Sequence, residues 1–348
     1  MSLDDTHVQA GIRVWQPEKV LPALEPSEAR YGSGFFCIDP IVLVPNIASQ
    51  WLPLVHTLGI EATLVECQAV AAMPNELSSL SKLEIDGEVA YLGFEGESER
   101  VISEAVLGQY DNHTAKLLIE YLERRFATSL SRSWAGETPL SFAYVGSEVS
   151  VKAELAAAIR VVFEIQGQSV VFYLGLGTRI VSELDRLCRE RLKKEHHVPR
   201  GLDARHNPTL SLILGEVSVQ TAELIDCLRE GSILSLDSAL SDKVLVALDG
   251  EIWAEGVLRQ YNGRFCVIFV GFTPKTKRFP QSTTKIEIEV AQTQIDKSLL
   301  EENAHFGGVL LTDTALGSIV SVVISGEHVA DAVACELHGR AAVKMLPK

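Results

Sequence analysis

Apolar and polar residues alternate along KIEIEVAQTQI (285–295), most plainly over its first six positions, with the two-residue period of a half-buried β-strand. KVLVAL (243–248), IWAEGVLRQY (252–261) and RFCVIFV (264–270) read as three further strands, joined through Asp249-Gly250 and Asn262-Gly263. Asp-Gly and Asn-Gly supply the positive φ values that tight type I′ hairpin turns require, so this stretch is a β-meander. Helical periods appear elsewhere. Leu118, Leu122, Phe126, Leu130 and Trp134 stand four apart in NHTAKLLIEYLERRFATSLSRSW (112–134), an apolar stripe that must pack on something. TRIVSELDRLCRERLKK (178–194) is a second amphipathic helix. VVFEIQGQSVVFYL (161–174) reads as a hairpin turning at Gln166-Gly167, and FFCIDPIVLV (35–44) and KLEIDGEVAYLGF (82–94) read as strands.

The meander occurs twice. Gly250 and Gly326 differ by 326 − 250 = 76, and Val244/Val320, Val246/Val322, Glu251/Glu327, Ala254/Ala330, Val257/Val333, Gly263/Gly339, Arg264/Arg340 and Val267/Val343 keep that offset. A repeat of this kind fixes the domain organisation. Copy two keeps the glycines but places Ser325 and His338 before them, so its turns are less strongly specified. Upstream, each copy has a strand and a short helix. SLILGEVSV leads into TAELIDCLREG, with Thr221 as N-cap and Gly231 as stop, and KIEIEVAQTQI leads into DKSLLEENAHFGG, with Asp296 and Gly307 in those roles. A unit this small buries a modest core and exposes unpaired strand edges, which two units in tandem can close for each other. The fold expected is α+β: a mixed α/β region over 1–200, then two β-rich modules at 209–271 and 285–347 that pair with each other. Pro/Gly-bearing linkers at 195–209 and 271–285 divide them. Val246, Val257, Phe265, Val267, Val322, Val333 and Val343 are expected on buried faces, and Gly250, Gly263, Gly326 and Gly339 at turns, with Arg264 and Arg340 following two of them.

Composition narrows the function. With 47% hydrophobic and 22% charged residues the chain is globular, and a net charge of −15 excludes the basic footprint of nucleic-acid binding and disfavours an anionic membrane surface. No apolar run approaches a membrane span and no secretion signal is visible, which places the protein in the cytoplasm. Six cysteines at 37, 67, 188, 227, 266 and 335 show no metal-ligand spacing and read as reduced, buried thiols.

Chemistry is sparse. Gly175-Leu-Gly177 follows a strand and precedes a helix, but Ile180 stands where a dinucleotide loop needs its third glycine, so it is a plain strand-to-helix turn. His196, His197 and His206 lie in a polar linker without a partnering Cys or carboxylate, and read as a solvated loop. No hydrolase, metalloprotease or P-loop motif occurs. No catalytic residue, cofactor or metal is expected.

The strand–helix–meander unit around LDGEIWAEGVLRQYNGRFCVIFV (248–270) resembles the SpoA domain found in the flagellar switch proteins FliM and FliN. Two such copies behind a longer N-terminal region resemble the SctQ family, the cytoplasmic-ring or sorting-platform component of type III secretion systems. LIEYLERRFATSLSRSW and the 161–174 hairpin look like the middle region of that family, whereas residues 1–100 contribute almost nothing. The resemblance implies a scaffold at the cytoplasmic face of the inner membrane. Its implied partners are the ATPase regulator SctL, the export ATPase SctN, the adaptor SctK and effector–chaperone complexes. It also implies self-association or pairing with a short C-terminal product. A flagellar switch protein is the alternative; MSLDDTHVQAGI does not match the regulator-binding peptide of FliM, and residues 1–200 hold no ExxN pattern of the CheC phosphatases.

Overall fold

We describe residues 12–37, 52–133, 141–148, 150–197, 207–236, 240–272 and 282–347 of a computed structural model. Along the chain these form β1 (Ile12–Val14), α1 (Pro17–Val20), α2 (Pro26–Tyr31), α3 (Leu52–Thr57), β2 (Ala62–Val70), β3 (Ser79–Ile85), β4 (Glu88–Phe94), α4 (Ser98–Leu107), α5 (Asn112–Ser133), β5 (Phe142–Ser147), β6 (Ala157–Ile165), β7 (Gln168–Leu176) and α6 (Thr178–Leu192). The C-terminal part adds β8 (Thr209–Gln220), α7 (Leu224–Cys227), β9 (Ile233–Ser235), β10 (Lys243–Leu248), β11 (Glu251–Tyr261), β12 (Arg264–Gly271), β13 (Thr283–Gln294), α8 (Lys297–Asn303), β14 (Val309–Ala315), β15 (Ile319–Ile324), β16 (Glu327–Leu337) and β17 (Arg340–Met345). The α+β class expected from the sequence is the class observed.

Two compact units divide the chain. The first, residues 30–192, is an antiparallel sheet of order β2-β6-β7-β4-β3-β5 whose core is shared with α4, α5 and α6. The hairpins over 82–94 and 161–174 turn at Asp86-Gly87 and Gln166-Gly167, all four residues with positive φ. On α5 the buried band is Ala115, Ile119, Leu122, Phe126 and Leu130, with Leu118 only half-buried. A strict spacing of four advances about 40° round a helix of 3.6 residues per turn, so the stripe walks off its face unless a step of three intervenes. Trp134 lies outside the described residues. Phe35–Cys37 form a turn rather than the expected strand; the Phe35 amide donates to Asp185 Oδ1 at 2.8 Å, and residues 38–44 lie outside the described residues.

The second unit joins residues 193–348 with the segment before Arg30. This corrects the expected 1–200 region: the boundary falls at Leu192, and residues 12–29 pack on the repeated modules because β1 pairs with β16 and Trp15, Leu21 and Leu24 are buried there. The sheet runs β14-β12-β11-β10-β8-β13-β15-β16-β17-β9, with β1 on the side of β16. The order is a palindrome of the repeat. β14 of copy two lies beside β12 of copy one, β9 of copy one lies beside β17 of copy two, and β8 and β13 pair antiparallel at the centre. The offset of 76 survives in the strand starts: 309 − 233, 319 − 243, 327 − 251 and 340 − 264. Even a β-bulge repeats, between Val246 and Ala247 and between Val322 and Val323.

All four module turns have the I′ signature, including Ser325 (φ 54°) and His338 (φ 52°). The glycine that follows and the strand pairing on both sides hold the turn where its first residue is indifferent. The caps divide. Asp296 Oδ1 accepts the Ser298 amide at 2.8 Å as an N-cap should, whereas Thr221 begins a 3-10 turn, makes no cap and gives its hydroxyl to the Ser282 carbonyl. Asp296→Ala is therefore expected to lower the stability of this unit by about 1 kcal/mol in chemical denaturation, with Thr221→Ala costing less.

Candidate protein-interaction site

The paired modules form the candidate site, and its geometry follows from which strand faces point inward. Val246, Phe265, Val267, Val322 and Val343 are fully buried. Val257 and Val333 are not: both are half-buried, while Trp253, Ala254, Gly256 and Leu258, and in copy two Ala330, Ala332 and Ala334, face the core. The bulges explain the difference, since one extra residue moves every following side chain to the other face. A Cβ on Gly256 would lie 2.3 Å from Val267 Cγ2, so the inward place beside Val257 is already tight. Gly250, Gly263, Gly326 and Gly339 sit at exposed hairpin turns. Arg264 is exposed and pairs with Asp313 of the exchanged β14 at 3.1 Å, and Arg340 is exposed.

The seam between the copies has one apolar face, with Leu210, Leu212, Ile286 and Ile288 buried, and one charged face. Glu216 and Glu287 stand directly opposite each other, a pairing that alone would repel. Lys285 Nζ lies between them, 2.5 Å from Glu216 Oε1 and 2.7 Å from Glu287 Oε1. Burial lowers the Lys285 ammonium, but its hydrogen bonds to the two carboxylates outweigh that and hold it above its ordinary value. Glu289 is buried beside them; burial raises its carboxyl and the Ser211 hydroxyl partly offsets that. The sequence alone does not single out Glu216, Glu287 or Glu289, although Glu at alternate positions of β13 is a visible sign that the second face of that strand is polar.

The two described histidines of the linker are held in place, His196 half-buried and His197 exposed. His196 stacks on His305 at 5.6 Å and His197 on Phe272 at 4.7 Å, the His197 amide donates to Ala304 O at 2.7 Å, and Trp253 Nε1 donates to His197 O at 2.8 Å. Burial and the neighbouring His305 lower the His196 pKa. His206 lies outside the described residues. No cluster of three or more metal-ligating side chains occurs among the described residues. The six cysteines are free thiols. Burial pushes Cys37, Cys188 and Cys266 up to about 12, which favours the protonated thiol over the thiolate. At Gly175-Leu-Gly177 the helix N-terminus is occupied by the chain itself. Glu88 Oε1 and Oε2 accept the Arg179 and Ile180 amides at 3.0 and 2.8 Å, and a Cβ on Gly177 would lie 2.5 Å from the Glu88 carboxyl carbon.

Among the described residues no helix is long and apolar enough to cross a membrane. Residues 207–271 match the family described as type III flagellar switch regulator (C-ring) FliN C-term. No curated protein matches. Solved structures show only distant likeness. The FliM middle domain of Vibrio alginolyticus is 16% identical, with 42% of this chain and 99% of that one covered and a TM-score of 0.33. The FliM middle domain of H. pylori is 13% identical, covering 47% and 99% with a TM-score of 0.33. Thermotoga maritima FliY is 12% identical, covering 48% and 98% with a TM-score of 0.32. TM-scores this low carry no argument, so the weight rests on the matched module and its internal copy. The first module is similar to the C-terminal domain of the flagellar switch regulator FliN, and the second is its intramolecular repeat.

Proposed function

We propose that the protein is a non-enzymatic structural component of the cytoplasmic ring, or sorting platform, of a type III protein secretion system. The observation that carries this is the exchange of β9 and β14 within one chain. A pair of FliN-like modules is thereby closed inside a single polypeptide, ready to act as one binding unit of a ring. In this role it scaffolds the export ATPase complex through SctL-like, SctN-like and SctK-like partners and receives effector–chaperone cargo. The description of the matched family favours one other reading, a flagellar switch protein. Deleting the gene separates them. Loss of effector export with motility intact, and co-purification of an export ATPase and its regulator with the tagged full chain, is the expected result. Loss of motility with export intact replaces it by the flagellar reading, and loss of neither overturns both.

A further inference from the structure

Residues 12–24 cross both modules as a thread with four buried anchors. Trp15, Pro17, Leu21 and Leu24 are buried, while Val14 (48% exposed) just before the first of them and Val20 (61% exposed) between the second and third face outward. The thread's one helix is the single turn α1, and its grip is on strand stretches that the repeat leaves unpaired on one side. β15 pairs with β16 only as far as Val333. Beyond that point β1 continues the ladder, with Ile12 opposite Leu337, Arg13 opposite Glu336 and Val14 opposite Cys335, and the Trp15 amide donates to Ala334 O at 2.9 Å. The corresponding place in module one takes the other end of the thread. Gln260, which the offset of 76 relates to Glu336, donates its amide to Pro22 O at 3.1 Å and accepts the Leu24 amide at 2.8 Å. Its side chain donates to Glu18 O at 3.2 Å and Leu21 O at 2.6 Å. The Trp15 ring stacks on Phe265 at 6.0 Å, and Leu24 packs with Cys266 and Val309.

Backbone addition to a free strand stretch plus isolated side-chain anchors is how a folded domain binds an extended peptide. The repeat provides that slot twice, and one short thread fills both. We propose that residues 12–24 are a resident ligand in cis, an autoinhibitory strap over a peptide-binding surface of the paired modules. A partner protein docks there when it presents an extended segment with a basic residue opposite Glu336, an aromatic anchor two positions later against Phe265, and aliphatic anchors beyond. Such docking requires the strap to leave. The inference goes beyond the ring reading, and its test does not use secretion.

The probe is a fluorescein-labelled peptide of residues 10–26, titrated by fluorescence anisotropy into the full-length protein and into full-length Trp15→Ala. The expected result is binding to the variant at least tenfold tighter than to the wild type, and loss of binding when the peptide itself carries Trp15→Ala. Equal binding to both proteins, or none to a variant that keeps the wild-type circular dichroism and melting curve, overturns the proposal. Should Trp15→Ala not fold, Arg13→Glu at an exposed strap position opposes Glu336 and loosens the strap instead. The wild-type peptide must then bind that variant more tightly than the wild-type chain, and equal binding or none overturns the proposal.

Discussion

Val267→Asp unfolds the module pair, whereas Val257→Asp leaves it folded. Val267 is fully buried in β12 and packed under Gly256. An unpaired buried charge costs several kcal/mol, a large part of the 5–15 kcal/mol that holds a typical domain together. Val257 is half-buried and stands directly opposite Lys243 on β10, so an aspartate there meets an ammonium across the strands. Its expected cost is about 1 kcal/mol or less. Val343→Asp and Val333→Asp repeat the contrast in copy two. Thermal melts followed by circular dichroism decide it: a cooperative transition for Val267→Asp near the wild-type temperature contradicts the assigned strand faces.

The second large effect concerns Glu123, 2% exposed on α5. The Ser81 hydroxyl donates to its Oε2 at 2.7 Å and the Tyr144 hydroxyl at 3.3 Å, while Oε1 has no hydrogen-bond partner among the described residues. Leu92, Phe94, Leu122, Phe126 and Phe172 line the small recess it shares. Burial pushes its pKa up to about 7; the two hydroxyls oppose the shift, and Glu99 and Glu120 add to it. A carboxyl whose folded pKa lies above its unfolded value is protonated more readily in the native state. Its contribution to stability is therefore greatest below the unfolded pKa, falls as pH rises between about 4.5 and 7, and is level above. At 1.36 kcal/mol per unit, the fall is about 3 kcal/mol. Glu123→Gln does not titrate, so the stability of the variant relative to the wild type should rise by about that amount between pH 4.5 and 8. Urea titrations at both pH values measure it, and a difference that does not change with pH contradicts the burial of an ionisable carboxyl.

What the sequence made legible was local. The module turns, the 76-residue repeat and Asp296 as an N-cap follow from residues whose φ values or side-chain reach act within a few positions. Val257 and Val333 misled because identity between copies marks the repeat, not the core, and a single bulged residue inverts the faces beyond it. The exchange of β9 and β14 was illegible for a different reason: Ile233–Ser235 is three residues long and shows no period, and its partner β17 lies in the other copy. The strap was hidden in the same way, since Ile12–Val14 finds its partner strand more than three hundred residues on. Glu216, Glu287 and Lys285 look like ordinary surface charges until the register of β8 and β13 sets them against one another.

The exchange itself is tested most directly by cutting the chain between the modules. A specific protease site placed between Thr273 and Gln281, in the linker after β12, leaves β9 and β14 on different fragments from the sheets they complete. After cleavage of the purified full-length protein, both fragments are expected to elute together from size exclusion as one particle of unchanged mass, and to part only in denaturant. Two fragments eluting separately as folded species under native conditions would contradict it.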